Sequence, residues 1–208
     1  MKPRVNLIPV QHEVPEYLTY GKLRTPLQSW RRNYKTRRMQ WTDDMTKIDE
    51  YLTNHRRRNG RLVRLLTRAV VRERKILLLT SRRAHVTLLK DALTAALRTR
   101  GLRTEVGVFW GGLSPEKWAA SAGCPVILGT YQMVKEALDL PALDVMVLAI
   151  PRSDIIQSVG RILREHPGKK APVVVDFVDH GIGLTEGMAR KRQQQYGQQD
   201  WEIIRRIG

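Results

Sequence analysis

The sequence predicts an α/β protein built on a doubly wound parallel sheet of about five strands, entered through an extended basic arm. From Lys75 onward, short apolar runs alternate with stretches of helical periodicity, the pattern of successive βαβ units. A length of 208 residues suffices for one such core with an appendage, not for two full domains. Prolines at 3, 9, 15 and 26 break up the front of the chain, which predicts the arm.

Taken in order, Met45 to Leu52 has helical spacing, and residues 61–72 form an amphipathic helix. Arg61, Arg64, Arg68 and Arg72 lie near one face of it and Leu62, Leu65, Leu66 and Ala69 toward the other. That arginine stripe reads as a solvated face. Ile76 to Leu79 suits a buried parallel strand, and Leu89, Leu93 and Leu97 form the apolar stripe of the helix after it. Glu105 to Trp110 is a second strand, broken by Gly111 and Gly112 before a helix opened by Ser114-Pro115-Glu116. Val126 to Leu128, Asp144 to Ile150 and Pro172 to Phe177 complete the five, with a helix from Asp154 to Glu165. In such sheets ligands bind beyond the carboxyl ends of the strands. The expected divisions are a basic arm at 1–60, the α/β lobe at 61–183 and a helical tail at 184–208.

Charge narrows the partner. With 37 Lys and Arg against 20 Asp and Glu the net charge is +17, which points to a polyanion, nucleic acid first. Residues 1–74 hold 18 basic and 7 acidic residues, so the front third is the more basic part. There Arg31, Arg32, Lys35, Arg37, Arg38 and Arg56 to Arg58 interleave with Trp30, Tyr34 and Trp41, a mixture that can bind phosphates and stack bases. The alternative is a solvated linker whose rings pack on the main lobe. No apolar run approaches the ~20 residues of a membrane span and no signal-peptide pattern opens the chain, so a soluble intracellular protein is expected. Cys124 is alone and the five histidines lack metal-ligand spacing, so no metal site is expected.

The sharpest motif is Gln157-Ser158-Val159-Gly160-Arg161-Ile162-Leu163-Arg164. On a helix Gln157, Arg161 and Arg164 share a face, Gly160 permits close approach of a neighbour, and planar guanidiniums suit bidentate phosphate contacts. This pattern resembles motif VI of superfamily II helicases. Residues 126–141, from Val126-Ile127-Leu128-Gly129-Thr130 through Glu136-Ala137-Leu138-Asp139 to Pro141, resemble motif V. Residues 77–85, with Thr80-Ser81-Arg82, resemble motif IV, and the order and spacing of all three are those of the family. The likeness is closest to DEAD/DEAH-like helicases of bacteriophages and large DNA viruses, and the front segment more loosely resembles the linker between their two lobes.

The resemblance implies a RecA-like C-terminal lobe that binds ATP with Mg²⁺ jointly with an N-terminal lobe, present in cis or in trans. Arg164 is then the arginine finger, with Arg161 beside it and Gln157 coupling nucleotide to nucleic acid. Asp139 lies near the ribose and adenine, and Gly160 belongs to the same nucleotide-facing motif. Ser81, Arg82, Gly129 and Thr130 contact nucleic-acid phosphates, and Gly111 and Gly112 let backbone approach the tracked strand. For Ser81 and Thr130 a cap or turn hydroxyl is the competing explanation. Ala137 departs from the glycine usual in motif V. No phosphate loop and no DExH or DEAD box occur in the sequence, so the isolated chain is expected to lack ATPase activity. The expected partner is DNA, with RNA as the alternative. A non-catalytic nucleic-acid-binding or helicase-docking protein on the same lobe is the competing function.

Overall fold

The structure is a computed structural model that describes residues 2–14, 17–19, 22–33, 35–133, 142–153, 159 and 166–205. The chain opens with β1 (Arg4–Gln11), two short strands β2 (Tyr17–Thr19) and β3 (Lys22–Arg24), and a hairpin of β4 (Gln28–Arg32) and β5 (Met39–Asp43). Helices α1 (Met45–Asn54) and α2 (Arg56–Val71) lead to β6 (Ile76–Thr80), α3 (Arg83–Thr99), β7 (Val106–Phe109), α4 (Pro115–Ala122) and β8 (Val126–Thr130). After a 3₁₀ turn at Tyr131–Met133 come β9 (Val145–Leu148), β10 (Val173–His180), α5 (Gly183–Gln198) and β11 (Glu202–Arg205).

Seven parallel strands form the main sheet in the order β11-β1-β10-β9-β6-β8-β7. All five strands expected from periodicity are present. The two additional ones come from the arm and the tail. Val5 and Leu7 bury on one face of β1, a period of two that the neighbouring prolines hide in the sequence. Pro9 is tolerated because β11 flanks β1 only over Arg4 to Leu7. Beyond that point no ladder bond on that side needs its missing N–H. At the other end, the tail read as helical is α5 followed by β11.

Alternation along β6 shows how the sheet is covered. Ile76 and Leu78 face Leu62 and Leu66 of α2 and Val86, Leu89, Leu93 and Leu97 of α3. Leu77 and Leu79 face the opposite core, which holds Phe109, Ala189 and Tyr196 of α5, and Trp201. Ser114 caps α4 by accepting from Lys117 N, and Gly107 lets that helix lie close to β7, where a Cβ would fall 2.6 Å from the Ser121 carbonyl oxygen. A third apolar cluster of Leu27, Ile48, Leu52, Ile150 and Ile182 seats α1 under the carboxyl edge.

Each face also buries one carboxylate of β10. Asp176 receives Arg192 Nε and Nη2 at 2.9 and 2.8 Å and the Tyr196 hydroxyl at 3.0 Å. On the other face Asp179 receives Arg58 Nε and Nη2 at 2.7 and 2.9 Å, with His12 Nε2 at 2.8 Å. An isolated buried carboxylate is costly, so each acid ties a helix to the sheet in one register.

Candidate nucleic-acid and nucleotide edge

Strand order reverses between β6 and β9, which makes the crevice at their carboxyl ends the expected ligand position in a doubly wound sheet. Three segments converge there. Ser81 and Arg82 follow β6, Arg152 follows β9, and α1 supplies Asp49. Thr130 ends β8 in register with Thr80 of β6.

This edge concentrates polar atoms that the body does not satisfy. Ser81 Oγ, Thr130 Oγ1, Asp49 Oδ1 and Arg152 Nε are buried and have no hydrogen-bond partner among the described residues. Buried polar atoms are ordinarily paired, so four together mark an unusual place. The Ser81 hydroxyl faces the Asp49 carboxyl without completing a hydrogen bond of good geometry. Arg152 stands 4.0 Å from Asp49 and packs over the Tyr131 ring at 5.6 Å, while the Tyr131 hydroxyl donates to the Ile150 carbonyl at 2.6 Å. Burial pushes the Asp49 carboxyl above the usual carboxylate range, against the pull of Ser81, Arg152 and Arg82. Burial likewise pushes the Tyr131 phenol up, so it remains a neutral donor.

Of the residues singled out in the sequence, Ser81, Arg82 and Thr130 gather at the edge, and Arg82 Nη2 donates to the Thr46 carbonyl of α1 at 2.7 Å. Neither Ser81 nor Thr130 caps a helix through its side chain among the described residues. Gly129 has a packing reason of its own, since a Cβ there would lie 3.1 Å from the Phe109 carbonyl oxygen. Gly112 occupies the left-handed region at φ +86°, whereas Gly111 offers its carbonyl to Arg83 Nη2. Gln157, Gly160, Arg161, Arg164, Asp139 and Ala137 lie outside the described residues.

Sequence reasoning missed Asp49 and Arg152, which are 103 positions apart in the chain numbering and meet only through the sheet. It also missed the support behind the edge. His85 accepts from Thr80 Oγ1 at Nδ1, 2.8 Å away, and its Nε2–H donates to Asn59 Oδ1 at 3.1 Å. Burial, with Arg58 nearby, lowers its pKa to about 3, so it serves as a neutral strut between β6 and α2. Burial pushes the Asp179 carboxyl up, and Arg58 and His12 more than reverse that and hold it low. Asp176, in a Val-Val-Asp run superficially like a magnesium-binding strand, is already committed to Arg192 and Tyr196. Among the described residues no group of His, Cys, Asp and Glu could hold a metal ion, and no helix is long and apolar enough to cross a membrane.

No protein-family model matches the chain. Protein L396 of Acanthamoeba polyphaga mimivirus, which carries the name of an ATP-dependent RNA helicase, is 32% identical over 148 residues, 71% of this chain and 28% of that protein. The chain therefore spans well under half of that relative. Among solved structures, T4 UvsW is similar over 98% of this chain and 41% of its own, with TM-score 0.57 and 16% identity. The E. coli DEAD-box protein SrmB, solved with regulator of ribonuclease activity A, is similar over 73% of this chain and 84% of its own, with TM-score 0.50 and 17% identity. The likeness to the solved structures shows the fold, a doubly wound RecA-like sheet, and it extends to cellular as well as phage proteins.

Proposed function

We propose that this chain is the C-terminal motor lobe of an ATP-dependent nucleic-acid helicase, which needs an N-terminal lobe to hydrolyse ATP. The observation that carries the reading is the pair of buried hydroxyls, Ser81 and Thr130, at the carboxyl ends of neighbouring parallel strands, neither of which completes a hydrogen bond of good geometry among the described residues. They occupy the positions at which motifs IV and V would meet a nucleic-acid phosphate, and an anionic oxygen there would satisfy both donors. Arg82, Gly129, Gly111 and Gly112 belong to the same proposed track.

The donors at this edge are guanidiniums and hydroxyls, which fit phosphate, and beside them burial holds the Asp49 carboxyl above its usual range. In this reading Arg161 and Arg164 close on the nucleotide from this side, Gln157 links it to the nucleic acid, and Asp139 and Gly160 border it. ATP with Mg²⁺ supplies phosphoryl transfer to water, and the phosphate loop and magnesium-binding carboxylate, missing from this sequence, come from the other lobe.

The test supplies the N-terminal lobe, fused or in trans, and compares wild type with Arg161→Ala and Arg164→Ala for ATP turnover and oligonucleotide affinity. Arg164→Ala should slow turnover by ~10³–10⁵ and leave affinity nearly intact, because an arginine finger acts on charge developing in the transition state. The isolated lobe should show negligible turnover. Strong loss of affinity with unchanged turnover in both variants would instead make the chain a non-catalytic binding protein. The mimivirus relative's name favours RNA and the sequence resemblance favours DNA, so competition between matched DNA and RNA oligonucleotides decides the substrate.

A further inference from the structure

The β4–β5 hairpin has two unlike faces. In its register Trp30 lies opposite Trp41 and Arg32 opposite Met39, so these four side chains share one face. The other face carries Ser29 and Arg31, and both donate to the Asp44 carboxylate, which caps α1 by accepting from Thr46 N at 3.0 Å. Lys47 Nζ donates to the Gln28 carbonyl, and Asp43 accepts from Leu184 N of α5 at 2.9 Å. The second face and the base therefore fasten the hairpin to the body, while Trp30 and Met39 on the first face stand exposed.

That first face is unusual for a solvated strand pair. Trp30 is 53% exposed and Met39 is 48% exposed, although water penalises such area. The two indoles contact each other at 5.8 Å between centroids with their planes inclined at 57°, so Trp41 backs the exposed Trp30 ring. Around it stand Arg32, Lys35, Arg37 and Arg38, all exposed, and no acidic residue lies between Trp30 and Trp41. The turn is built to hold its shape. Asn33 Oδ1 accepts from the Lys35 and Thr36 amides, and Arg37 sits at φ +60° where its amide donates to the Asn33 carbonyl. A protein partner would favour an apolar or acidic counter-surface. An exposed aromatic ring rimmed by cations matches a chain of bases joined by phosphates.

We propose that this hairpin is a second nucleic-acid site, a platform on which a base of a single strand stacks against Trp30 while Arg32, Arg37 and Arg38 bind the flanking phosphates. The inference rests on the nucleic-acid reading of the chain but uses residues separate from the Ser81–Thr130 edge. A single strand fits because the exposed Trp30 ring meets the π-face of an unstacked base, which a duplex keeps covered.

The experiment titrates the full chain with labelled oligothymidylate, oligouridylate and a duplex of equal length at several salt concentrations. Trp30→Ala should weaken single-strand binding about tenfold and Trp30→Phe should restore most of it, because the stacking surface is kept. The triple change Arg32→Ala, Arg37→Ala, Arg38→Ala should flatten the log–log salt dependence by about 2, at ~0.7 for each phosphate that is no longer neutralised. Duplex binding should change less in Trp30→Ala. Quenching of tryptophan fluorescence by oligothymidylate in the wild type, reduced in Trp30→Phe, reports the stack without depending on the alanine variant's fold. If the wild type binds and the hairpin variants match it in affinity and slope, the platform is refuted while the Ser81–Thr130 reading stands. If the wild type binds no oligonucleotide even at low salt, both fall.

Discussion

Arg58 and Arg192 lie fully buried within the body, each clasped in two parallel hydrogen bonds on a β10 carboxylate, whereas Arg32, Arg37 and Arg38 stand in solvent on the hairpin. All five count equally in a net charge of +17. The two buried guanidiniums are nonetheless cancelled locally by Asp179 and Asp176, so they contribute nothing to the attraction of a polyanion. The hairpin ones face water with no acid among them in sequence. Charge composition alone thus overstates the basic surface of the body and understates how strongly the basic character is concentrated on the hairpin.

Removing one partner from inside the body should have the largest effect on stability. Arg58→Ala or Arg192→Ala leaves a carboxylate buried without its cation and should lower unfolding free energy by about 3–5 kcal/mol. Urea denaturation would measure it, with Arg37→Ala expected within about 0.5 kcal/mol of wild type as the hairpin contrast. Equal, small losses at all three sites would erase the distinction between the two classes of arginine.

Acid should act on the body and spare the hairpin. Burial holds His85 at about 3, below its unfolded value of 6.5, so between those limits the unfolded chain binds the additional proton. Stability then falls as pH drops below about 6.5, by roughly 1.4 kcal/mol per pH unit, or about 2 kcal/mol at pH 5. His55, lowered by burial and by His12 beside it, adds in the same direction. Thermal melts across pH 5 to 8 should show this slope in the wild type and a shallower one in His85→Gln. An unchanged slope in the variant would remove His85 as its source.

Asp44 joins the two regions, and its replacement should have the smallest effect of the three. The Ser29 hydroxyl holds its carboxyl below the usual range, against its partial burial and with help from the Thr46 amide and Arg31. Asp44→Ala should cost about 1 kcal/mol by removing the α1 cap, and it should speed tryptic cleavage at Arg31 to Arg38 by unfastening the hairpin. Asp44→Asn keeps a capping oxygen and should retain most of the stability. Cleavage rates identical in all three proteins would mean that the hairpin is fastened elsewhere.

The core strands and α3 were legible in the sequence because periodicity is a local property that adjacent residues encode, whereas Ser81 and Thr130 stood out there only through the resemblance of residues 77–85 and 126–141 to motifs IV and V. The continuous apolar run from Ile76 to Leu79 marked a strand covered on both faces, and Gly112 marked a break that only glycine enters easily. What the tertiary structure alone decided is every pairing across long sequence distance. Arg4 to Gln11 became a sheet strand only because β10 and β11 arrive on either side of it, 167 or more positions later by the His12–Asp179 spacing. Arg58 reads in the sequence as one of several cations able to bind phosphates, and Asp176 as part of the lobe's last strand. The fold pairs both inside the body, because a buried charge needs a partner and neither side's local sequence says which partner the fold will bring.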